Sequence, residues 1–247
     1  LKPPGAVLAA GLLLVEAGVA HGDEPAIVAD RPGFGESASV VAPSRLQLES
    51  GAAYTWVDGD TTAFDAPQSL VRVGLRHALE LRLGVPDWVD TRGPSGTATG
   101  WTDLSVGVKG HVAIRGNDLS LRATAYFPTG SPDLTSDLLD PELAVAWSRA
   151  LSGPWSLGAT VSQRWLRQYR QSLTSPSVSV GHSLGRQAAT FIEYDAVVSP
   201  ATAPLHRIDH GYTWDPGLHT QVDFSLGVVL SRAPTAYFVG AGFCHRF

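Results

Sequence analysis

The residues of this chain with the most chemistry within reach are fourteen charged side chains set in alternating apolar segments. The basic ones are Arg72, Arg76, Arg82, Lys109, Arg122, Arg164 and Arg246; the acidic ones are Glu49, Glu80, Asp103, Glu142, Glu193, Asp209 and Asp223. Each takes the parity opposite to the Leu, Val and aromatic positions beside it, so strand geometry collects all of them on one face. Charges gathered inside a protein wall must pair with one another or with water. Seven against seven has two readings: an interior braced by cross-strand ion pairs, or a narrow polar path along which selected solutes pass. A balanced lining argues against strong anion or cation selectivity, which needs rings of one sign. Other reactive residues assemble into nothing comparable. His206 and His210 have a helical ligand spacing, but on a strand they stand about 13 Å apart, so no metal site is expected. His182 and Ser183 are adjacent and point to opposite faces, which rules out a dyad between them. GxSxG, phosphate-loop and nucleotide fingerprints are absent from the sequence, and no cofactor is expected.

Long strands must position such a lining. Beyond residue 44 the sequence resolves into twelve alternating segments. Leu46, Leu48, Ala52, Tyr54 and Trp56 oppose Gln47, Glu49, Gly51 and Thr55; Leu119, Leu121, Ala123, Ala125 and Phe127 oppose Ser120, Arg122 and Thr124. The last segment, Tyr237 to Phe247, alternates strictly and ends the chain on an aromatic residue. Two segments are weaker: the one around Val178 and Val180, and the one through Ala188, Thr190, Ile192 and Tyr194, where Phe191 falls on the charged face. Most run 9–12 residues, the length about 9–11 tilted residues need to cross a bilayer core. The gaps alternate: 57–66, 90–100, 129–140, 166–172, 198–206 and 229–235 are long, whereas 77–78, 151–154, 184–186 and 215–217 are tight, with 113–118 the longest of that set. Long connections at one end and short ones at the other characterise transmembrane barrels. Outward aromatics form two belts, Tyr54, Trp56, Phe127, Trp165, Tyr194 and Tyr237 toward the long loops and Trp155, Trp214 and Phe247 toward the short turns. Trp88 and Trp101 break parity and are assigned to the second long loop. Large apolar residues on one face, with Gly, Ser and charges on the other, are the inverse of a soluble barrel.

The expected fold is therefore all-β: a 12-stranded antiparallel transmembrane β-barrel of the bacterial outer membrane. The asymmetry of loop lengths puts both termini on the periplasmic side, which an even strand number requires. The chain has 247 residues, 44% of them hydrophobic, and a net charge of −5, without the basic excess a nucleic-acid partner calls for. The apolar run from Ala6 to Ala20, behind Lys2, reads as a signal peptide over residues 1–20, cleaved after Ala20 or Gly22. Residues 21–43, broken by Pro25, Pro32 and Pro43, either hang in the periplasm or enter the lumen as a partial plug through Asp30, Arg31 and Glu36. Residues 44–247 form the barrel. Cys244 is the single cysteine, so no disulfide within the chain is possible. Phe247, outward at the rim, is the residue assigned to membrane assembly.

Several stretches resemble one family. Ala29-Asp30-Arg31-Pro32-Gly33-Phe34-Gly35-Glu36-Ser37, Val40-Val41-Ala42-Pro43 and Leu46-Gln47-Leu48-Glu49-Ser50-Gly51 are similar to the opening of the outer-membrane MetA-pathway phenol-degradation transporters. Val71-Arg72-Val73-Gly74-Leu75 with Leu79-Glu80-Leu81-Arg82 resembles the family's second hairpin. Trp101 to Lys109, Phe127 to Ser131, Phe191 to Tyr194, Gln221 to Gly227 and Tyr237 to Gly242 continue the likeness in order. His245 and Cys244 depart from the family's usual ending. The resemblance implies an outer-membrane channel for passive passage of small molecules, often aromatic or hydrophobic. Its partners would be outer-membrane lipid, the barrel-assembly machinery and a small-molecule solute; the sequence does not fix an oligomeric state. Two other classes compete: an outer-membrane hydrolase, for which His182 would need a serine on a neighbouring strand, and a structural or adhesive barrel acting through its external loops.

Overall fold

A computed structural model describes residues 26–57, 60–76, 78–94, 96–230 and 235–247. The expected signal peptide, residues 1–20, lies outside the described residues. Twelve antiparallel strands close a barrel: β1 Leu46–Val57, β3 Leu70–Arg76, β4 Leu79–Gly84, β7 Leu104–Ile114, β8 Asn117–Phe127, β9 Asp140–Ala150, β10 Trp155–Leu166, β11 Gln171–Ser183, β12 Ala188–Ser199, β13 Thr202–Gly217, β14 Thr220–Val229 and β15 Ala236–Arg246. Each strand pairs with its neighbour in sequence order, and β15 closes on β1 from Gln47↔Arg246 to Val57↔Ala236. Closure leaves the barrel proper without an open edge, the condition for crossing lipid with strands.

The interior and exterior are inverted relative to a soluble domain. The largest fully buried side chains are polar: Arg72, Lys109, Gln47, Glu49, Glu80, Asp140 and Asp209 all face inward. Leu81, Leu83, Leu121, Leu143, Val145, Val161, Val178, Ile192, Phe224 and Leu226 stand exposed on the outer wall. In water, so continuous an apolar surface would be unstable; facing acyl chains it is the solvated side. At about 3.3 Å per residue and a tilt near 40°, eleven residues rise roughly 28 Å, close to a bilayer's hydrocarbon thickness. Trp165, Tyr194 and Tyr237 are exposed near one rim, and Trp155, Trp214 and Phe247 near the other.

Three strands depart from the expected loops. Residues 57–66 and 90–100 are not open loops: β2 Thr61–Ala66, β5 Trp88–Gly93 and β6 Gly96–Trp101 form a small ribbon that continues the second, third and fourth barrel strands past the rim. The second strand breaks at residues 67–69, the third at 85–87 and the fourth at 102–103. There β1 changes partner, pairing with β3 through Glu49 and with β2 from Ala53. Trp88 and Trp101 are cross-strand partners at the base of this ribbon, edge to face at 5.3 Å. Likewise β13 begins at Thr202, inside the expected loop 198–206. Much of the expected contrast in loop length is strand that extends beyond the barrel. At the opposite end Arg115 and Gly116 both have positive φ, the geometry that lets two residues join twisted strands.

Candidate functional site

Residues 26–43 enter the barrel at the short-turn rim, cross the lumen and return to the foot of β1. The Ala26 carbonyl accepts from Arg246, and Val28 accepts from Arg72 and Gln47. Asp30 sits among Arg82 at 2.7 Å, Lys109 at 3.5 Å and Arg72 at 3.7 Å. Arg31 reaches sideways to Asp223, at 3.3 and 3.4 Å, and donates to Gln68 at 2.8 Å. The tip crosses to the far wall, where the Phe34 and Gly35 N–H groups donate to the two oxygens of Glu193, at 2.6 and 2.8 Å. On the way back Glu36 takes Arg122 at 2.6 Å and Lys109 at 3.4 Å, the Ser39 carbonyl accepts from Arg72, and the Val41 N–H donates to Glu80. Two glycines permit the close approach. A Cβ on Gly35 would lie 2.4 Å from Ser177 Oγ, and one on Gly74 would lie 2.0 Å from the Ala42 carbonyl.

The wall charges are concentrated on one side. Arg72 of β3 forks onto Glu80 of β4, with Nε to Oε1 at 3.0 Å and Nη2 to Oε2 at 2.9 Å, and reaches Glu49 of β1 at 2.8 Å. Arg82 shares Glu80 at 2.7 Å. Arg122 of β8 joins Glu142 of β9 at 2.5 Å. Nine of the expected residues (Glu49, Arg72, Glu80, Arg82, Lys109, Arg122, Glu142, Asp30 and Glu36) thus form one network, filling the β1–β9 side of the lumen. Bidentate geometry and low exposure make these pairs costly to break singly. Glu193 and Asp223 hold the tip and Arg31, as described. Asp209, paired in register with Glu193, is buried with neither carboxylate oxygen hydrogen-bonded among the described residues. Arg164 lies over the Tyr126 ring at 3.7 Å and 3.7 Å from Asp140; Arg246 donates to the Leu218 carbonyl as well as to Ala26.

One expected lining residue is placed elsewhere. A register shift between Gly74 and Arg76 sets Arg76 opposite the outward Leu79, and Arg76 is exposed rather than in the lumen. An extra residue in a strand moves everything beyond it to the other face, and simple alternation cannot foresee that. Asp103, in the break between β6 and β7, lines the space toward the long loops and also pins the third long loop, accepting from Thr129 N at 3.1 Å, Gly130 N at 3.0 Å and Thr135 Oγ1 at 2.5 Å. Sequence reasoning missed Asp195 and Arg207, which pair on the inner wall of β12 and β13. Arg207 also covers the Phe34 ring at 3.5 Å, and Phe34 meets Phe238 edge to face at 5.4 Å. The signal was present, since Asp195 shares the parity of Glu193 and Arg207 that of Asp209. Of the histidines singled out, His206 bonds the Tyr194 hydroxyl and His210 the Thr190 hydroxyl, both at 2.7 Å; His182 packs on Trp155 at 4.4 Å.

The space left over lies at both ends. Toward the short turns a cavity of about 420 Å³ opens between the inserted segment and β9–β12. Toward the long loops a cavity of about 470 Å³ is lined by Arg31, Asp65, Asp87, Tyr126, Leu134 and Arg164. Asp87, between β4 and β5, is pushed up to about 6 by burial and by neighbouring Asp65. Smaller cavities of about 250 and 220 Å³ lie around the tip of the segment, and both touch Phe34, Glu36 and Arg122.

Residues 29–247 match the family described as "Putative MetA-pathway of phenol degradation". Among solved structures, the fold is similar to the COG4313 outer membrane channel from Pseudomonas putida F1 (12% identity, 85% of this chain and 97% of that chain, TM-score 0.62). It is also similar to the NanC porin (8% identity, 79% and 98%, TM-score 0.56) and the KdgM porin (10% identity, 81% and 99%, TM-score 0.54). Among curated proteins no sequence matches significantly.

Proposed function

The chain belongs to the family described as that of the MetA pathway of phenol degradation, and from this we propose that it is an outer-membrane channel for passive passage of small solutes. The observation that carries the proposal is the lumen itself: a closed barrel with cavities of about 420 and 470 Å³ at its two ends, separated by the folded tip of residues 26–43. A barrel meant only as a scaffold could fill its interior with side chains, as eight-stranded barrels do. Here the β9–β11 wall presents small residues and leaves room.

The inserted segment acts as a partial plug. It closes the centre while leaving both vestibules open, so passage is narrow and limited to small molecules. Even strand number, with β1 entering and β15 leaving at the short-turn rim, orients both termini toward the periplasm and the β2–β5–β6 ribbon toward the outside. The family supports aromatic or hydrophobic cargo, and the exposed Phe34 at two of the lumen cavities suits a ring-bearing solute. No catalytic step is assigned to the chain. Removing residues 23–40 should raise single-channel conductance in planar bilayers several-fold. A deletion variant that inserts normally and conducts no better than wild type would refute the plug. A wild-type barrel that neither conducts nor accelerates liposome swelling would refute the channel.

A further inference from the structure

The inserted segment does not fill the lumen evenly. The charges that anchor its two legs come from β1, β3, β4, β7 and β8, with Asp223 of β14 and Arg246 of β15, whereas the β10–β11 wall carries no charge along four consecutive rungs. In register these are Ser156↔Gly181, Gly158↔Ser179, Thr160↔Ser177 and Ser162↔Ser175. Two cavities lie against this uncharged wall and two against β4, β7 and β8. The short-turn vestibule and the cavity above it share Glu36, Thr160 and Ser177. That second cavity shares Phe34, Glu36 and Arg122 with a third, and the third shares Gly84, Ser105 and Tyr126 with the long-loop vestibule. A chain of adjoining spaces therefore runs from one mouth to the other around the tip of the segment.

Resting on the channel reading above, we propose that solutes cross on the β10–β11 side, through a constriction formed by Gly35 and Glu36 against Thr160 and Ser177, and that these residues set the size limit. Two contacts close that point: the Glu36 N–H donates to Thr160 Oγ1 at 3.1 Å, and Gly35 abuts Ser177 and Glu193. The Phe34 and Gly35 N–H groups are held by both oxygens of the buried Glu193, whereas the Glu36–Thr160 bond joins two neutral partners. On the other flank Asp30 and the Glu36 side chain, with Glu49, Glu80 and Glu142, are interlocked with Arg72, Arg82, Lys109 and Arg122, and separating them would leave buried charge uncompensated. The gap against Thr160 and Ser177 thus opens at lower cost than the legs can leave the charged wall. A hydroxyl-lined gap offers a passing solute replacement hydrogen bonds as it sheds water. Phe34 and Arg122 meet it immediately beyond.

The native Cys244 is fully buried, which permits single-cysteine tests in the intact barrel. Ser179→Cys lies below the constriction, Ser162→Cys above it, and Thr55→Cys on the inner wall of β1, away from these cavities. In proteoliposomes, a bulky methanethiosulfonate should slow arabinose-driven swelling of the S179C and S162C barrels at least five-fold and leave T55C unchanged. Unmodified S179C and S162C barrels that swell at the wild-type rate would show that they fold and conduct. Modification confirmed by mass, with swelling unchanged, would overturn the path while leaving the channel standing. A block confined to T55C would move the path to the opposite side. Absence of swelling in the wild type would refute the channel itself.

Discussion

Arg72→Met should release the inserted segment without opening the barrel. Arg72 holds both legs of the segment, donating to the Val28 carbonyl at 3.1 Å and the Ser39 carbonyl at 3.2 Å, while facing Asp30 at 3.7 Å. A hydrogen bond from a charged donor contributes about 1.5–3 kcal/mol. Two of them, taken at the low end because water can replace part of each, give about 3 kcal/mol. The wall adds to this: Glu49 and Glu80 lose their shared counter-ion and then repel Asp30, although Arg82 still reaches Glu80 and the Asp30 and Arg31 N–H groups still reach Glu49. At 1.4 kcal/mol per tenfold, a shift of about 3 kcal/mol raises the released population roughly a hundredfold. Chymotrypsin cleavage after Phe34 reports that population, because the ring is held between Arg207 and Phe238 while the segment is docked. The expected result is cleavage about a hundredfold faster in R72M, with the heat-modifiable barrel band retained. Arg72→Lys should fall between, since one ammonium cannot span Glu80, Glu49 and two carbonyls. Equal cleavage rates for wild type and R72M would refute the claim that this guanidinium ties the segment to the wall.

Other perturbations separate the remaining elements. Gly74→Val should destabilise docking of the segment and lower the barrel's apparent melting temperature, because even a Cβ meets the Ala42 carbonyl at 2.0 Å; unchanged melting would show that the backbone shifts freely there. Asp87, with its pKa pushed up to about 6, binds its proton more tightly folded than unfolded. Its contribution to stability is therefore present at low pH and lost as pH rises from the ordinary aspartate value through 6. Asp87→Asn should flatten the change in melting temperature between pH 4.5 and 7, and a profile identical to wild type would remove Asp87 as its cause. Phe247→Asp places a charge at an exposed rim position beside His245, and outer-membrane levels should fall at least ten-fold on fractionation; normal levels would overturn its assembly role.

Period-two alternation was enough to make the fold legible, because a strand's geometry sorts side chains to two faces whatever surrounds it. Leu81, Leu83, Val178, Val180 and Phe224 stand outward as their parity demands, and Glu49, Arg72, Glu80 and Lys109 stand inward. Alternation also sufficed for the weaker segments. β11 forms even with Pro176 inside it, its ladder to β12 passing from Thr174↔Val198 to Ser177↔Asp195. It failed where one residue is inserted, as at Arg76.

By itself, then, the sequence determined which side chains face lipid and which face the lumen, how many strands must close, and that the interior must be ion-paired. Those follow from local geometry and from the cost of unpaired charge. Which charges pair was decided only by the closed barrel. The sequence offered Asp30, Arg31 and Glu36 as plug charges but left open whether their segment hangs in the periplasm or enters the lumen, because Asp30 and Glu36 lie far along the chain from Lys109 and Arg122. Where the free space lies was likewise decided by closure. Residues 26–43 dock their legs against the charged wall, and the room left lies along the hydroxyl-lined β10–β11 rungs only once the strands have closed around them.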